Sequence, residues 1–211
     1  TIFVPPLVFE AAFQLNLAEI RRNLVGILLL AVPGVLVTML LVGGILAGSN
    51  TLSWPIALVF GALISATDPV AVVAVFRVIG VPKRLAVLVE SESLFNDGTA
   101  IVLFNLVLAI AITGQFDAVA GVVDFVRVSA GGIAVGVVLG WLTSYLIGRV
   151  DDYLIETTLT TVLAFGAYLV AERLDFSGVL AVVSAGIIAG NFGPQGMSPT
   201  TRIVLFNFWE Y

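Results

Sequence analysis

Glu90-Ser-Glu-Ser-Leu-Phe-Asn-Asp-Gly98 sets three carboxylates and an Asn between two apolar runs, Leu85–Val89 and Thr99–Ile112. Runs and polar stretch together read as one membrane-length helix that is acidic in its middle. An ionised carboxylate at bilayer depth costs at least roughly 2.5–3.5 kcal/mol. Side chains placed there bind a cation, carry a proton, or pair with a charge on another helix. Helical spacing sorts them into two stripes. Glu90, Ser93 and Asp97 stand at i, i+3 and i+7; Glu92 and Asn96 stand at i and i+4, about 60–100° away. Both stripes must face protein or water.

The rest of the chain supports a membrane reading. Of 211 residues, 60% are hydrophobic and 11% charged, against about 25% charged in an ordinary soluble domain. The mean hydropathy is +1.14. Strand-like alternation is absent, which argues against a β-barrel. With no Cys there is no thiolate chemistry, and with no His proton chemistry must run on carboxylates. The net charge of −5 says little, because in membranes the placement of Lys and Arg matters more. Thr1 opens directly into an apolar run without a signal-peptide pattern. Phe206-Asn-Phe-Trp-Glu-Tyr211 stops inside a helix just begun. The expectation is a fragment of a larger transporter-like protein.

Hydropathy yields about seven transmembrane segments and the start of an eighth, at 1–15, 24–47, 54–79, 85–112, 126–148, 153–173, 177–192 and from Thr201 onward. The whole range 1–211 reads as a partial membrane transport domain, with no soluble domain and no nucleic-acid motif. Arg21, Arg22, Arg77, Lys83, Arg84, Arg149 and Arg202 fall on alternate connections; only Arg127 and Arg173 fall on the others. This bias makes the first set of loops cytoplasmic in a multi-pass protein of the plasma or inner membrane. Arg127 can pair with Asp124 at i−3. Gly131, Gly132, Gly136 and Gly140 give the fifth helix a small-residue face, for close packing in the bundle or for a dimer contact. Asp151, Asp152 and Glu156 start the sixth helix, where they complement its dipole or gather cations at a mouth.

The third segment is interrupted. Pro69 lacks an N–H and disfavours the helical region at Asp68. The expectation is a discontinuous helix at Thr67-Asp68-Pro69, restarting with Asp68 as N-cap and Pro69 as first helical residue. The break lies about 14 residues, or about 20 Å, from the outer side. Unwound backbone at that depth must be buried or line a cavity, and its carbonyls can coordinate a cation. Asp97, roughly 18 Å from the opposite side, reaches a similar depth.

Roles follow. Asp97 is the candidate carboxylate for a bare cation or a proton. Desolvation favours the protonated form of a carboxyl and a bound cation the ionised form, so one group can exchange H⁺ for Na⁺. Ser93 and the Thr67 carbonyl offer neutral oxygens of the kind hard cations take. Asn96 can bridge to Thr67 or Glu92. Glu92 needs a positive partner, and Glu90 can line an entry funnel. Glu10 lies near the cytoplasmic end of the first segment, where a charge is cheap. The competing structural reading is a buried hydrogen-bond network that only holds helices together.

Ala66-Thr-Asp-Pro-Val-Ala71 followed by Glu92-Ser-Leu-Phe-Asn-Asp97 resembles the monovalent cation:proton antiporters, family one, in the sodium/proton exchanger branch. Pro5-Pro-Leu-Val-Phe-Glu10, Arg21-Arg-Asn23 and Phe176-Ser-Gly-Val-Leu-Ala-Val-Val-Ser-Ala-Gly186 carry the likeness over nearly the whole chain. The resemblance implies an all-α membrane protein, a transmembrane helix bundle of the inverted-repeat antiporter type that forms a homodimer. It implies secondary antiport of a monovalent cation, Na⁺ foremost, against H⁺, with no enzymatic activity and no cofactor beyond the transported ions. By that resemblance Asp97 binds cation and proton with Asn96 as partner. Ser93, Glu10 and the Thr67 carbonyl are further Na⁺ ligands, and Asp68 sits at a helix crossover. Asn96 in place of a second Asp implies electroneutral exchange. Glu92 is expected to pair with an Arg beyond Tyr211. A cation channel is the alternative, though no filter-like repeat is present. An intramembrane aspartyl protease using Asp68 and Asp97 is the other, without a Gly-x-Gly-Asp pattern to support it.

Overall fold

The computed structural model describes residues 2–150, 152–195 and 199–210; the side chains of residues 70, 74, 77, 83, 195, 199, 200 and 210 are not considered. Asp151, the side chains of Arg77 and Lys83, Thr1 and Tyr211, used above, lie outside the described residues. The described residues form helices joined by turns, without strands. These are α1 (Val4–Phe13), α2 (Leu17–Leu29), a π segment (Leu30–Gly34), α3 (Val35–Gly48), α4 (Trp54–Leu63), α5 (Val70–Ile79) and α6 (Lys83–Thr113), then α7 (Ala118–Ile147), α8 (Tyr153–Arg173), α9 (Gly178–Phe192), a 3₁₀ turn (Gly193–Gln195) and α10 (Pro199–Glu210). Leu17–Gly48, Arg84–Thr113, Ala118–Ile147 and Tyr153–Arg173 are long and apolar enough to cross a membrane; Val4–Phe13, Trp54–Leu63 and Gly178–Phe192 are shorter apolar helices.

Two helices start earlier than hydropathy suggested. The second segment begins at Leu17 rather than 24, because Asn16 Oδ1 accepts from the Ala18 and Glu19 amides at 2.9 and 3.3 Å. The fifth begins at Ala118 rather than 126, because Asp117 Oδ1 accepts from Val119 and Ala120 at 2.9 and 3.1 Å. A cap fixes where a helix starts, and the backbone does not register that Arg21, Arg22, Asp124 and Arg127 are polar. Arg21 and Arg22 therefore lie in α2 rather than on a connection. Arg127 Nε and Asp124 Oδ1 stand 3.6 Å apart on the exposed face of α7.

Pro33 sits inside the π segment. Its ring blocks the ordinary i→i−4 bond, and the wider turn absorbs the misfit.

The chain divides into two compact units, one made of residues 1–19 and 130–211 and the other of 20–129. In the first unit α9 is the central helix: it is buried from Gly178 to Ile187 and at Ala189, as its lack of a polar face requires. Phe9 and Phe13 of α1, Leu163, Ala164 and Ala167 of α8, and Leu205 and Trp209 of α10 share its core. A Cβ on Gly186 would stand 2.8 Å from the Ala12 Cβ, so α1 and α9 approach closely. The Asn191 amide donates to the Leu15 and Ile187 carbonyls at 2.8 Å each and accepts from the Leu17 amide at 3.0 Å. It thereby ties the α1–α2 corner to α9.

In the second unit Gly43 and Gly61 let α3 and α4 approach through backbone contacts, a Cβ on Gly43 meeting the Ala57 carbonyl at 3.2 Å. Val35, Met39, Ala62, Ala100, Leu103 and Val107 form the core that seats α3 and α4 on α6. Lipid tails are as apolar as these side chains, so close packing rather than transfer from water holds such helices together.

Candidate cation site

The polar residues that the sequence singled out on α6 meet the segment between α4 and α5. Helix α4 closes at Leu63: the Ile64 amide returns to the Phe60 carbonyl at 3.2 Å, and the Ser65 hydroxyl donates to the Ala62 carbonyl at 2.7 Å. Residues 65–69 are not helical. Helix α5 starts at Val70 with Pro69 at its N-cap, φ −88° and ψ 3°, and no side-chain cap. The N-cap position is thus held by Pro69 rather than Asp68, and Pro69 lies one position before the first helical residue. The non-helical stretch is also wider than the expected triplet. Ser65 contributes, since its hydroxyl competes for the carbonyls at the end of α4.

Thr67 is the meeting point. Its carbonyl accepts from the Ser93 hydroxyl at 2.8 Å, and its own hydroxyl oxygen accepts from Asn96 Nδ2 at 2.7 Å. Asn96 Nδ2 also donates to Glu92 Oε1 at 2.9 Å, one turn back on α6. Both amide hydrogens of Asn96 are therefore spent on two oxygens. The other end of that amide, Oδ1, is buried and has no hydrogen-bond partner among the described residues. A buried unmatched acceptor costs about 1–3 kcal/mol. Ser93 and Asn96 are buried, at 7% and 1% exposure.

Asp97 follows Asn96 and is half-buried. Among the described residues no hydrogen bond or ion pair holds its carboxylate, and the acids whose charges bear on it are Asp68 and Glu92. Asp68 and Thr67 are exposed, and Glu90 and Glu92 half-buried. The second unit thus brings together Thr67, Ser93, Asn96 and Glu92 by hydrogen bonds, with Asp97 and Asp68 in electrostatic range. Glu10 belongs to the other unit, half-buried on α1.

The geometry suits oxygen coordination. A Ser93 hydroxyl that donates to Thr67 keeps its lone pairs, and a carbonyl that accepts once keeps a second. Asn96 Oδ1 adds a neutral oxygen with nothing else to do.

Two features lay beyond the sequence reading. Ser91 is fully buried on α6, its hydroxyl without a partner among the described residues. Asn23 of α2 accepts from Arg84 Nε of α6 at 2.8 Å. The adjacent Arg21-Arg22-Asn23 motif was its only signal. Glu156 is fully buried on α8 rather than lining an exposed mouth, while Asp152 caps α8 by accepting from Leu154 at 2.9 Å.

Residues 1–210 match the model of the sodium/hydrogen exchanger transmembrane family. The chain is 46% identical to the Na⁺/H⁺ antiporter ApNhaP of Aphanothece halophytica, covering 100% of this chain and 41% of that protein. It is 43% identical to the Na⁺/H⁺ antiporter NhaG of Bacillus atrophaeus, again over 100% of this chain and 41% of the relative. The fold matches the sodium proton antiporter MjNhaP1 of Methanocaldococcus jannaschii with a TM-score of 0.81 at 23% identity, covering 99% of this chain and 52% of that one. The chain thus spans about two fifths of the length of the curated relatives named here.

Proposed function

The chain belongs to the sodium/hydrogen exchanger family, and we propose on that footing that it takes part in secondary active antiport of Na⁺ against H⁺. Membership makes it part of a multi-pass membrane protein and a transporter rather than an enzyme. The observation that carries the finer reading is the bonded group of Thr67, Ser93, Asn96 and Glu92 beside a half-buried Asp97 carboxylate.

In this reading α4 and α5 are the halves of one discontinuous membrane helix. The residues between them face the middle of α6. Asp97 holds either Na⁺ or H⁺, never both, and that exclusion couples the two fluxes. Ser93 and the Thr67 carbonyl contribute to the Na⁺ shell, and Asn96 adds its free oxygen. Asp68 offsets the positive end of α5. Glu92 orients Asn96 and awaits a cationic partner on a further helix, while Glu90 lines the approach. One charge traded for one charge makes the exchange electroneutral. The seven-and-more spans form one partial transport domain of a homodimer in the plasma or inner membrane, with the Arg-rich loops cytoplasmic.

The test uses the full-length protein in inside-out vesicles with a respiratory pH gradient. Added Na⁺ should dissipate the gradient with no dependence on membrane potential. A cation channel would instead respond steeply to potential, and dissipation by K⁺ alone would reassign the transported ion.

Asn96→Ala is expected to raise the Na⁺ concentration for half-maximal exchange about tenfold, because Thr67 and Glu92 lose their shared donor at about 1–3 kcal/mol. The protein should still assemble, since Ser93 keeps its bond to Thr67. An unchanged apparent KM for Na⁺ would remove Asn96 from the site.

A further inference from the structure

By the charge placement read from the sequence, the C-terminal end of α7 is its cytoplasmic end; Trp141 and Tyr145 there, and Arg149 in the turn just past Ile147, follow one another at four-residue steps. The Trp141 and Tyr145 rings stack, with centroids 6.0 Å apart and planes 15° from parallel. The Arg149 guanidinium carbon sits over the Tyr145 ring, 4.3 Å from its centroid. All three side chains are exposed, the two rings by 62% and 48%. Gly140, Ser144 and Ile147 of the same turns are buried. Of the four membrane-length helices among the described residues, α7 is the least buried along its apolar stretch, 11% against 22–39% in the others. At 1.5 Å per residue it measures about 45 Å, longer than the ~30 Å hydrocarbon core, so its ends reach headgroup level.

The ladder leaves a cation prepared for an anion. A guanidinium laid on an aromatic face is attracted by the ring quadrupole. Its N–H groups lie in its own plane, so its rim stays available for the two parallel hydrogen bonds that a phosphate accepts. Among the described residues no carboxylate forms an ion pair with Arg149. Trp and Tyr are the residues that settle at the membrane–water boundary, with the ring in apolar surroundings and the polar atom among headgroups.

We propose that the Trp141–Tyr145–Arg149 face binds the phosphate of an anionic phospholipid in the cytoplasmic leaflet. Charge favours a lipid over a second copy of the chain. A two-fold contact centred on this face would set it against itself and bring two Arg149 guanidinium groups together.

Native mass spectrometry of the full-length protein tests this, with phosphatidylglycerol or phosphatidylcholine of matched acyl chains added in detergent. Wild type should retain phosphatidylglycerol about fivefold better, the preference expected of one basic side chain at an anionic surface. Arg149→Gln should erase the preference. Tyr145→Leu should weaken it and Tyr145→Phe preserve it, because the ring face and not the hydroxyl seats the cation. Each variant replaces an exposed side chain, and matching melting temperatures would confirm an intact fold. An unchanged preference in Arg149→Gln overturns the proposal. So does a loss of the two-copy mass with lipid retention unaltered, which would make the face a subunit contact.

Discussion

With Asp97→Asn in the full-length protein, added Na⁺ is expected to leave the pH gradient of inside-out vesicles intact, where wild type dissipates it. The amide has nearly the size of the carboxylate but neither releases a proton in the working range nor carries a full charge. At about 4 Å and an effective dielectric of about 20, a carboxylate and a cation attract by about 4 kcal/mol. Losing that attraction weakens Na⁺ binding by roughly a thousandfold, and the proton carrier goes with it. Expression and melting should match wild type, because no hydrogen bond to Asp97 is lost among the described residues. Asp97→Glu keeps the charge and displaces it by one methylene, so residual exchange with a raised KM for Na⁺ is expected. Equal dissipation by wild type and Asp97→Asn would move exchange to another group.

Competition for one carboxylate has a second signature. On the acidic limb of the wild-type profile, each unit by which the pH falls should raise the Na⁺ concentration for half-maximal exchange about tenfold, since one proton must leave for each cation that binds. A KM for Na⁺ indifferent to pH would mean that the two ions use separate sites. Asn96→Ala should shift this line without changing its slope, because Asn96 holds no titrating proton.

Which parts of this arrangement could be read from residues alone follows from the range of the forces involved. Glu90–Gly98 announced itself because charge inside an apolar run is costly wherever it lies. Pro69 announced a break because its ring acts on neighbours one and four residues away. The extent of the break was hidden, since it depends on how Ser65 and Ile64 finish α4. The Asn191 clamp and the Asn23–Arg84 bond join residues 174 and 61 positions apart. Their partners are chosen by packing, which no local pattern encodes. Hydropathy misplaced the starts of α2 and α7 because Asn16 and Asp117 act through caps, which that measure does not register. The glycine face of α7 was legible as a site of close approach, but its partner was not.

That partner is α9, and Gly136→Leu should therefore cost the fold rather than a surface. A Cβ on Gly136 would run into the Ala181 carbonyl oxygen and come within 2.9 Å of the Ser184 Cβ. Both residues belong to the most buried helix of the first unit. Backbone cannot turn aside as a flexible side chain can, so α7 must move off α9. Forced overpacking costs about 1–3 kcal/mol where side chains can yield, and the cost here should reach the upper end or beyond it. Thermal unfolding of the full-length protein in detergent, followed by size-exclusion chromatography, should show a lower melting temperature or little folded protein. Gly166 on α8 has open space around its missing Cβ, so Gly166→Ala should melt as wild type or slightly above it, alanine being the better helix former by about 1 kcal/mol. Gly140→Ala, whose Cβ would meet the Ala185 carbonyl at 3.0 Å, should fall between the two. If the glycine face served a dimer instead, Gly136→Leu would change the number of copies and leave the melting temperature of each unaltered.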